Sequence, residues 1–161
     1  MKTEGIRVVM VTYNGELYFD EQLNSIEKQD YLEKIYISDD ASEELFSKRL
    51  NLSSQGGNSR ISISQNPKNI GLLANIKKAI TENLDAEFIA LSDQDDVWCP
   101  EKVEKMLEKL ETHDLVLSDA FVIDGFDSVI NESFFALNGC RIGYLRNLYK
   151  NSFLGCGLPF R

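Results

Sequence analysis

The chain has one histidine, three cysteines and three prolines in 161 residues, and no long apolar run. Each scarcity excludes something. Cys99, Cys140 and Cys156 form no CxxC pair, and with His113 as the single imidazole neither a zinc cage nor a disulfide framework is expected. The cysteines read as packing residues in a reducing cytoplasm. No stretch approaches the roughly 18 apolar residues of a transmembrane helix, and Met1 to Ile6 is polar where a secretory signal would place an apolar segment. Positive charge is scarce too. Lys and Arg number 17 against 26 Asp and Glu, a formal charge of −9, so the chain lacks the basic footprint of a nucleic-acid binder. The same excess repels a phosphorylated ligand unless a divalent cation sits between. What remains is 43% apolar residues at a length suited to one domain, enough to build a core.

Short β-branched runs alternate with helical periodicity. Ile6 to Thr12 (IRVVMVT) is a continuous apolar run of the kind a buried parallel strand shows, closed by Tyr13, Asn14 and Gly15. Phe19, Leu23 and Ile26 then recur at helical spacing. Further strands are predicted at Lys34 to Ser38, Arg60 to Ser64, Glu87 to Leu91 and Leu115 to Ser118, while Ser53 to Ser59, polar with paired glycines, reads as loop. A helix is predicted from Ile70, with Leu73, Ile76 and Ile80 on its core face. Another starts at Pro100, with Val103, Met106, Leu107 and Leu110 facing the core. Beyond Val122 only Leu145 and Leu148 suggest a short helix. The alternation predicts right-handed βαβ crossovers and a three-layer α/β/α domain with a mostly parallel central sheet, which binds ligands beyond the carboxyl ends of its strands.

Asp39 and Asp40, then Asp93, Asp95 and Asp96, then Asp119 directly follow predicted strands, so one sheet edge collects six carboxyl groups. Turn and capping chemistry explains any one of them. Three acids within Asp93-Gln94-Asp95-Asp96, between an apolar strand and Trp98, exceed what a cap requires. Clustered carboxylates repel and some hold protons; Mg²⁺ or Mn²⁺, bound by one or two carboxylates plus phosphate oxygens, relieves that repulsion. A receiver-like phosphoacceptor domain would place acids after the first strand, where Thr12-Tyr13-Asn14 stands. His113 reads as surface or capping.

VVMVTYNGELYFDEQLNSI, IYISDDAS, NPKNIGLLANIKKAI and FIALSDQDDVWCPEKVEKM, in that order and spacing, resemble the nucleotide-binding half of family 2 glycosyltransferases, which have the Rossmann-like GT-A fold. The resemblance runs from Ile6 to about Asp124, and Gly155 to Arg161 (GCGLPFR) resembles the start of the acceptor-side strand motif. It implies a nucleotide-sugar-binding subdomain over residues 1–124 and the beginning of an incomplete acceptor-binding part over 125–161. The implied reaction is metal-dependent, inverting transfer of a sugar from a UDP-sugar or dTDP-rhamnose to a hydroxyl of an acceptor glycan or lipid-linked sugar. The implied setting is cell-surface polysaccharide synthesis, with peripheral membrane association of the full enzyme.

The resemblance also implies roles. Thr12, Tyr13 and Asn14 grip the nucleotide, with Tyr13 stacking on the base and nearby backbone supplying hydrogen bonds. Asp40 accepts from a uracil N–H, with Asp39 ordering the turn beside it. Lys68 and Asn69 reach the base or phosphates, though Lys68 reads equally as solvated surface. Asp96 coordinates Mn²⁺ or Mg²⁺, and Asp95 serves the cation and the sugar or ribose hydroxyls. Asp93 holds the loop, Trp98 packs beneath, and Asp119 matches an acid without an assigned role. The family's later acidic motif, which carries the general base, has no counterpart before Arg161, so a fragment or short form is expected, with a non-catalytic nucleotide-binding module as the alternative. Phe126, Phe134, Phe135, Tyr144, Leu148 and Phe153 are then expected to lie uncovered and to promote self-association.

Overall fold

β1 (Ile6–Thr12) is buried at every position, as a central strand covered on both faces must be. In the computed structural model, which describes residues 5–55, 59–141 and 154–161, it lies at the middle of a five-stranded sheet. The other strands are β2 (Leu32–Asp39), β3 (Ile61–Gln65), β4 (Ile89–Ser92) and β7 (Pro159–Phe160), in the order β3-β2-β1-β4-β7, so β1 pairs with β2 and β4. The first four strands run parallel and β7 pairs antiparallel with β4. A mostly parallel α/β sheet is therefore present as expected.

The period of two divides the core. Ile6, Val8 and Met10 face α1 (Phe19–Glu27), α2 (Glu44–Gln55) and α4 (Lys102–Leu110), which contribute Phe19, Leu23, Ile26, Phe46, Leu50, Val103, Met106 and Leu110. Val9 and Val11 face α3 (Leu72–Thr81) through Ile76 and Ala79. Phe19 and Phe46 meet edge to face, with ring centroids 5.2 Å apart. The charged exception is Arg7, at the end of β1 remote from Thr12. Its guanidinium donates to Glu33 at 2.6 Å and Asp85 at 2.7 Å, so the buried charge is paired.

Four expectations are corrected. α2 extends through Gln55 into the stretch that reads as loop; only Phe46 and Leu50 face the core from it, too few apolar positions to show as a period. α3 leaves Leu73 82% exposed and buries Asn75 and Ala79 instead. Asn75 is drawn inward because its side-chain oxygen accepts from Ser38 Oγ at 2.7 Å and its amide donates to Ser38 O at 2.8 Å. The fifth strand shrinks to one bridge, Leu115 with Phe160, because β7 occupies the edge of β4. Pro100 stands in the turn ahead of α4 rather than within it.

Beyond Val122 the chain forms a small hairpin of β5 (Val122–Ile123) and β6 (Val129–Asn131), followed by α5 (Phe134–Leu137). Phe126 is 90% exposed, while Phe134 and Phe135 are half-buried. Tyr144, Leu145, Leu148 and Phe153 lie outside the described residues. Among the described residues no helix is long and apolar enough to cross a membrane.

Truncation separates the true core from the expected one. Phe19→Ala should cost about 3–5 kcal/mol in urea unfolding, whereas Leu73→Ala should stay within about 0.5 kcal/mol. Equal losses would contradict this assignment of faces.

Candidate functional site

The carboxyl ends of β1, β2 and β4 lie side by side, and their acids differ in one respect: whether donors meet them. Asp39, fully buried, accepts from Thr12 Oγ1 at 2.9 Å, Ser42 Oγ at 2.5 Å and Ser42 N at 3.1 Å. Asp40, 3% exposed, accepts from Asn66 Nδ2 at 2.8 Å, Ile70 N at 2.9 Å and Gly71 N at 2.8 Å. Burial pushes the Asp40 carboxyl up, but the Ile70, Asn66 and Gly71 donors outweigh it and hold the group below the usual carboxylate range. Gly71 reaches Asp40 with φ at +87°, a conformation that favours glycine. In both residues Oδ2 takes one donor and keeps a free lone pair.

The segment after β4 is held from α1. Gln22, Ser25 and Gln29 form a polar stripe beside that helix's apolar face. Gln22 Nε2 donates to Ser92 Oγ at 2.5 Å and Asp93 O at 3.2 Å. Ser25 Oγ accepts from Trp98 N at 3.0 Å. Gln29 Nε2 donates to Cys99 O at 3.0 Å, and its oxygen accepts from Val103 N at 3.1 Å, satisfying a free N–H of the first turn of α4. Trp98, 3% exposed, packs in the core beneath the segment as expected.

Gln94 reaches back to β1. Its oxygen accepts from Tyr13 N at 2.8 Å and its amide donates to Tyr13 O at 3.1 Å, so Tyr13's peptide groups are engaged while its side chain stays half-exposed. Asn14, at φ +48°, donates its N–H to Ser42 Oγ at 2.8 Å and caps α2 by accepting from Glu43 N at 2.9 Å. Lys68 is exposed in the turn before α3, and Asn69 Oδ1 accepts from Gly71 N at 3.1 Å. Asp119 accepts from Ser133 Oγ and Phe135 N, which ties it to α5. His113 caps the end of α4, with Nδ1 3.1 Å from Lys109 O.

Asp93, Asp95 and Asp96 are not neutralised in this way. Asp96 Oδ2 is buried without a hydrogen-bond donor. Asp93, expected to hold the loop, does so only through its backbone carbonyl; burial, then Asp96, then Asp95 push its carboxyl up to about 6. Cys156 joins them because Gly157 N donates to Leu91 O at 2.6 Å, laying residues 156–158 beside β4. One ligand atom each from Asp93, Asp96 and Cys156 lies within 4.8 Å of the others. Burial, then a hydrogen bond from the thiol to the Asp96 carboxylate, then the Asp96 and Asp93 charges push the Cys156 thiol up to about 12. Lys102, its Nζ 4.9 Å from the Trp98 ring, is drawn down by burial against the pull of Cys156 and Asp96. A cavity of about 250 Å³ opens beside Asp95 and Asp96, lined also by Tyr18, Glu21, Asp124 and Asp127. A buried carboxylate oxygen without a donor beside a carboxyl driven to keep its proton fits a hard divalent cation, while the protonated Cys156 thiol is not a ligand of the kind such a cation prefers.

Such a sheet edge defines a parallel α/β domain whose ligand meets it beyond the carboxyl ends of the strands. The profile of glycosyl transferase family 2 matches residues 7–157. The chain belongs to that family, and its fold is the GT-A fold. The dTDP-rhamnosyl transferase RfbG of Shigella flexneri is 34% identical over 114 residues, 63% of this chain and 36% of that protein. YwdF of Bacillus subtilis (strain 168), an uncharacterized glycosyltransferase, is 31% identical over 145 residues, 89% of this chain and 49% of that protein. The chain thus spans about half the length, or less, of these two relatives. Among solved structures, S. aureus TarS 1–349 in complex with UDP superposes with a TM-score of 0.66 at 24% identity, over 81% of this chain and 39% of that one. The mannosyltransferase PcManGT from Pyrobaculum calidifontis, in complex with GDP-Man and Mn²⁺, gives 0.63 at 17% identity, over 96% and 44%.

The raised Asp93 carboxyl sets a pH dependence. Its folded value of about 6 stands above the ordinary 3.8, so stability falls as pH rises between those values and stays lower above them. Asp93→Asn should therefore raise cation-free stability near neutral pH by about 1–2 kcal/mol, after discounting for solvent screening, and leave it unchanged in strong acid. No gain at neutral pH in urea unfolding would contradict the crowding of these carboxylates. In mildly alkaline buffer, exposed Cys99 should be alkylated well before Cys156, read by peptide mass spectrometry; equal rates would oppose a protonated, buried Cys156.

Proposed function

We propose that this chain provides the donor site of a glycosyl transfer, binding a nucleotide-sugar whose diphosphate is joined by a divalent cation to Asp96 and its neighbours. One observation carries the reading. Strand-end acids Asp39 and Asp40 have donors on both oxygens, whereas Asp96 Oδ2 is buried with none and Asp93 is pushed toward holding a proton. Lys102 is the cation that approaches Asp96 and Cys156, and burial draws it down, so three acids share one weakened positive charge there.

Asp96 and Asp93 would hold Mn²⁺ or Mg²⁺, with the Cys156 thiol beside them, and Asp95 faces the cavity where ribose or sugar hydroxyls would lie. Tyr13 offers an exposed ring for stacking on the base. Asp40 Oδ2 retains a lone pair for a base N–H; Thr12, Asn14 and Asp39 order the turn around it, and Lys68 lies free to approach phosphate or base. A bound cation supplies the charge that a departing nucleoside diphosphate requires. Names and ligands of similar proteins support the donor class: UDP and UDP-GlcNAc with TarS, GDP-Man and Mn²⁺ with PcManGT, and dTDP-rhamnose in the name of RfbG.

The reaction we propose for the whole protein is inverting transfer to a hydroxyl of a glycan or lipid-linked acceptor in polysaccharide synthesis. Residues 1–124 would serve the donor and 125–161 would begin the acceptor side. The carboxylate that takes the acceptor's proton is left unassigned.

Calorimetric titration of UDP with and without Mn²⁺ tests the site. Mn²⁺ should tighten UDP at least about tenfold, a difference of about 1.4 kcal/mol, and Asp96→Asn should remove that gain. Identical UDP affinity with and without the cation, or an unaltered gain in Asp96→Asn, would overturn the proposal.

A further inference from the structure

The residue that joins the two halves of this site belongs to neither. Gln94 sits between Asp93 and Asp95, and its side chain turns away from both. It reaches across to β1 and pairs with both peptide groups of Tyr13, accepting from the N–H at 2.8 Å and donating to the C=O at 3.1 Å. An amide engaged at both ends in this way fixes the peptide's position and its orientation. The next residue is fixed as well: Asn14 is held in the left-handed region by its bonds to Ser42 and Glu43. The Tyr13 side chain, half-exposed, projects from a backbone clamped on both sides.

Gly15 shows that the clamp is built into the local packing. A Cβ at that position would lie 2.6 Å from Gln94 Oε1 and 2.9 Å from Gln94 Cδ, with Phe46 Cζ at 3.1 Å behind it. Backbone and core thus leave a slot in which the Gln94 amide fits against a residue that has no side chain.

We infer that Gln94 is a positioning residue that couples the base-facing Tyr13 to the cation-facing Asp93, Asp95 and Asp96. This inference rests on the donor-site reading above. α1 bonds the segment at Asp93 and Trp98. A cation that draws Asp93 and Asp96 together would restrain the stretch between them, which carries Gln94, and Gln94 would pass that restraint to the Tyr13 peptide. Cation and nucleoside then favour each other even where they do not touch, and by linkage each tightens the other by the same factor.

Uridine isolates this effect, because it has no phosphate with which to reach the cation. In the parent, Mn²⁺ should tighten uridine by about fivefold or more, measured by NMR titration. Gln94→Met keeps the length and packing of the side chain but neither hydrogen bond. It should bring the factor to about one while Mn²⁺ affinity, read from the electron paramagnetic signal of the free ion, stays within about twofold. Gly15→Ala keeps Gln94 but fills its slot and should lose the coupling in the same way. A merely structural role would weaken uridine equally with and without Mn²⁺ and leave the factor intact, which overturns the inference. A parent that binds UDP with Mn²⁺ but shows no uridine linkage overturns this inference alone. A parent that binds no UDP under any condition overturns the donor-site reading and this inference with it.

Discussion

Three carboxylates in four residues repel one another, and the segment that carries them keeps its shape because α1 bonds to its backbone at several points. Gln22, Ser25 and Gln29 meet Ser92, Asp93, Trp98, Cys99 and Val103. Each such bond contributes a net of about 1 kcal/mol, and leaving a buried partner unsatisfied costs about 1–3 kcal/mol. That is the scale needed to oppose the crowding that raises Asp93. Asp93 is held through its main-chain carbonyl and the segment is anchored again at Trp98 and Cys99, so the side-chain oxygens of the acids are not what fixes it. On the β2 side the arrangement is reversed: there the carboxylates are themselves the acceptors that organise the turns, through Thr12, Ser42, Asn66, Ile70 and Gly71. One edge of one sheet thus holds acids that organise turns and, beside them, an acid with a buried oxygen that no donor meets.

Much of the scaffold was legible in the sequence. β1 shows as an uninterrupted apolar run because both its faces are buried, and α1 and α4 show because their apolar residues recur on one face. α2 was hidden because only Phe46 and Leu50 reach the core, and α3 misled because Leu72 and Leu73 carry apolar periodicity into solvent while Asn75 goes inward to Ser38 and Asn66. Periodicity registers hydrophobic burial alone. A buried amide that serves a polar network leaves no such trace.

The candidate site was legible to a similar degree. The spacing of Asp93, Asp95 and Asp96 after a strand marked the segment that the structure sets beside Cys156 and the cavity, and Asp39 and Asp40 marked the turn after β2. Distance along the chain concealed the rest. Gln22 and Gln94 bond to partners 70 and 81 residues away, and Cys156 arrives at the acids only because β7 pairs antiparallel with β4. Gly15 carried a signal in retrospect, a glycine just past a strand end where close approach rather than turning is required. The net charge of −9 now has a local meaning, since the cavity beside Asp96 is lined by four further acids.

In the proposed donor site a divalent cation would enter between Asp93 and Asp96 and not elsewhere on this acidic surface. Mn²⁺-induced broadening of backbone amide resonances measures this most directly, because the effect falls steeply with distance from the ion. Broadening should be strongest at Asp93, Gln94, Asp95, Asp96 and Cys156, and should largely vanish in Asp96→Asn. Broadening centred on Asp39 and Asp40, on Asp124 and Asp127, or spread evenly over the surface would contradict it.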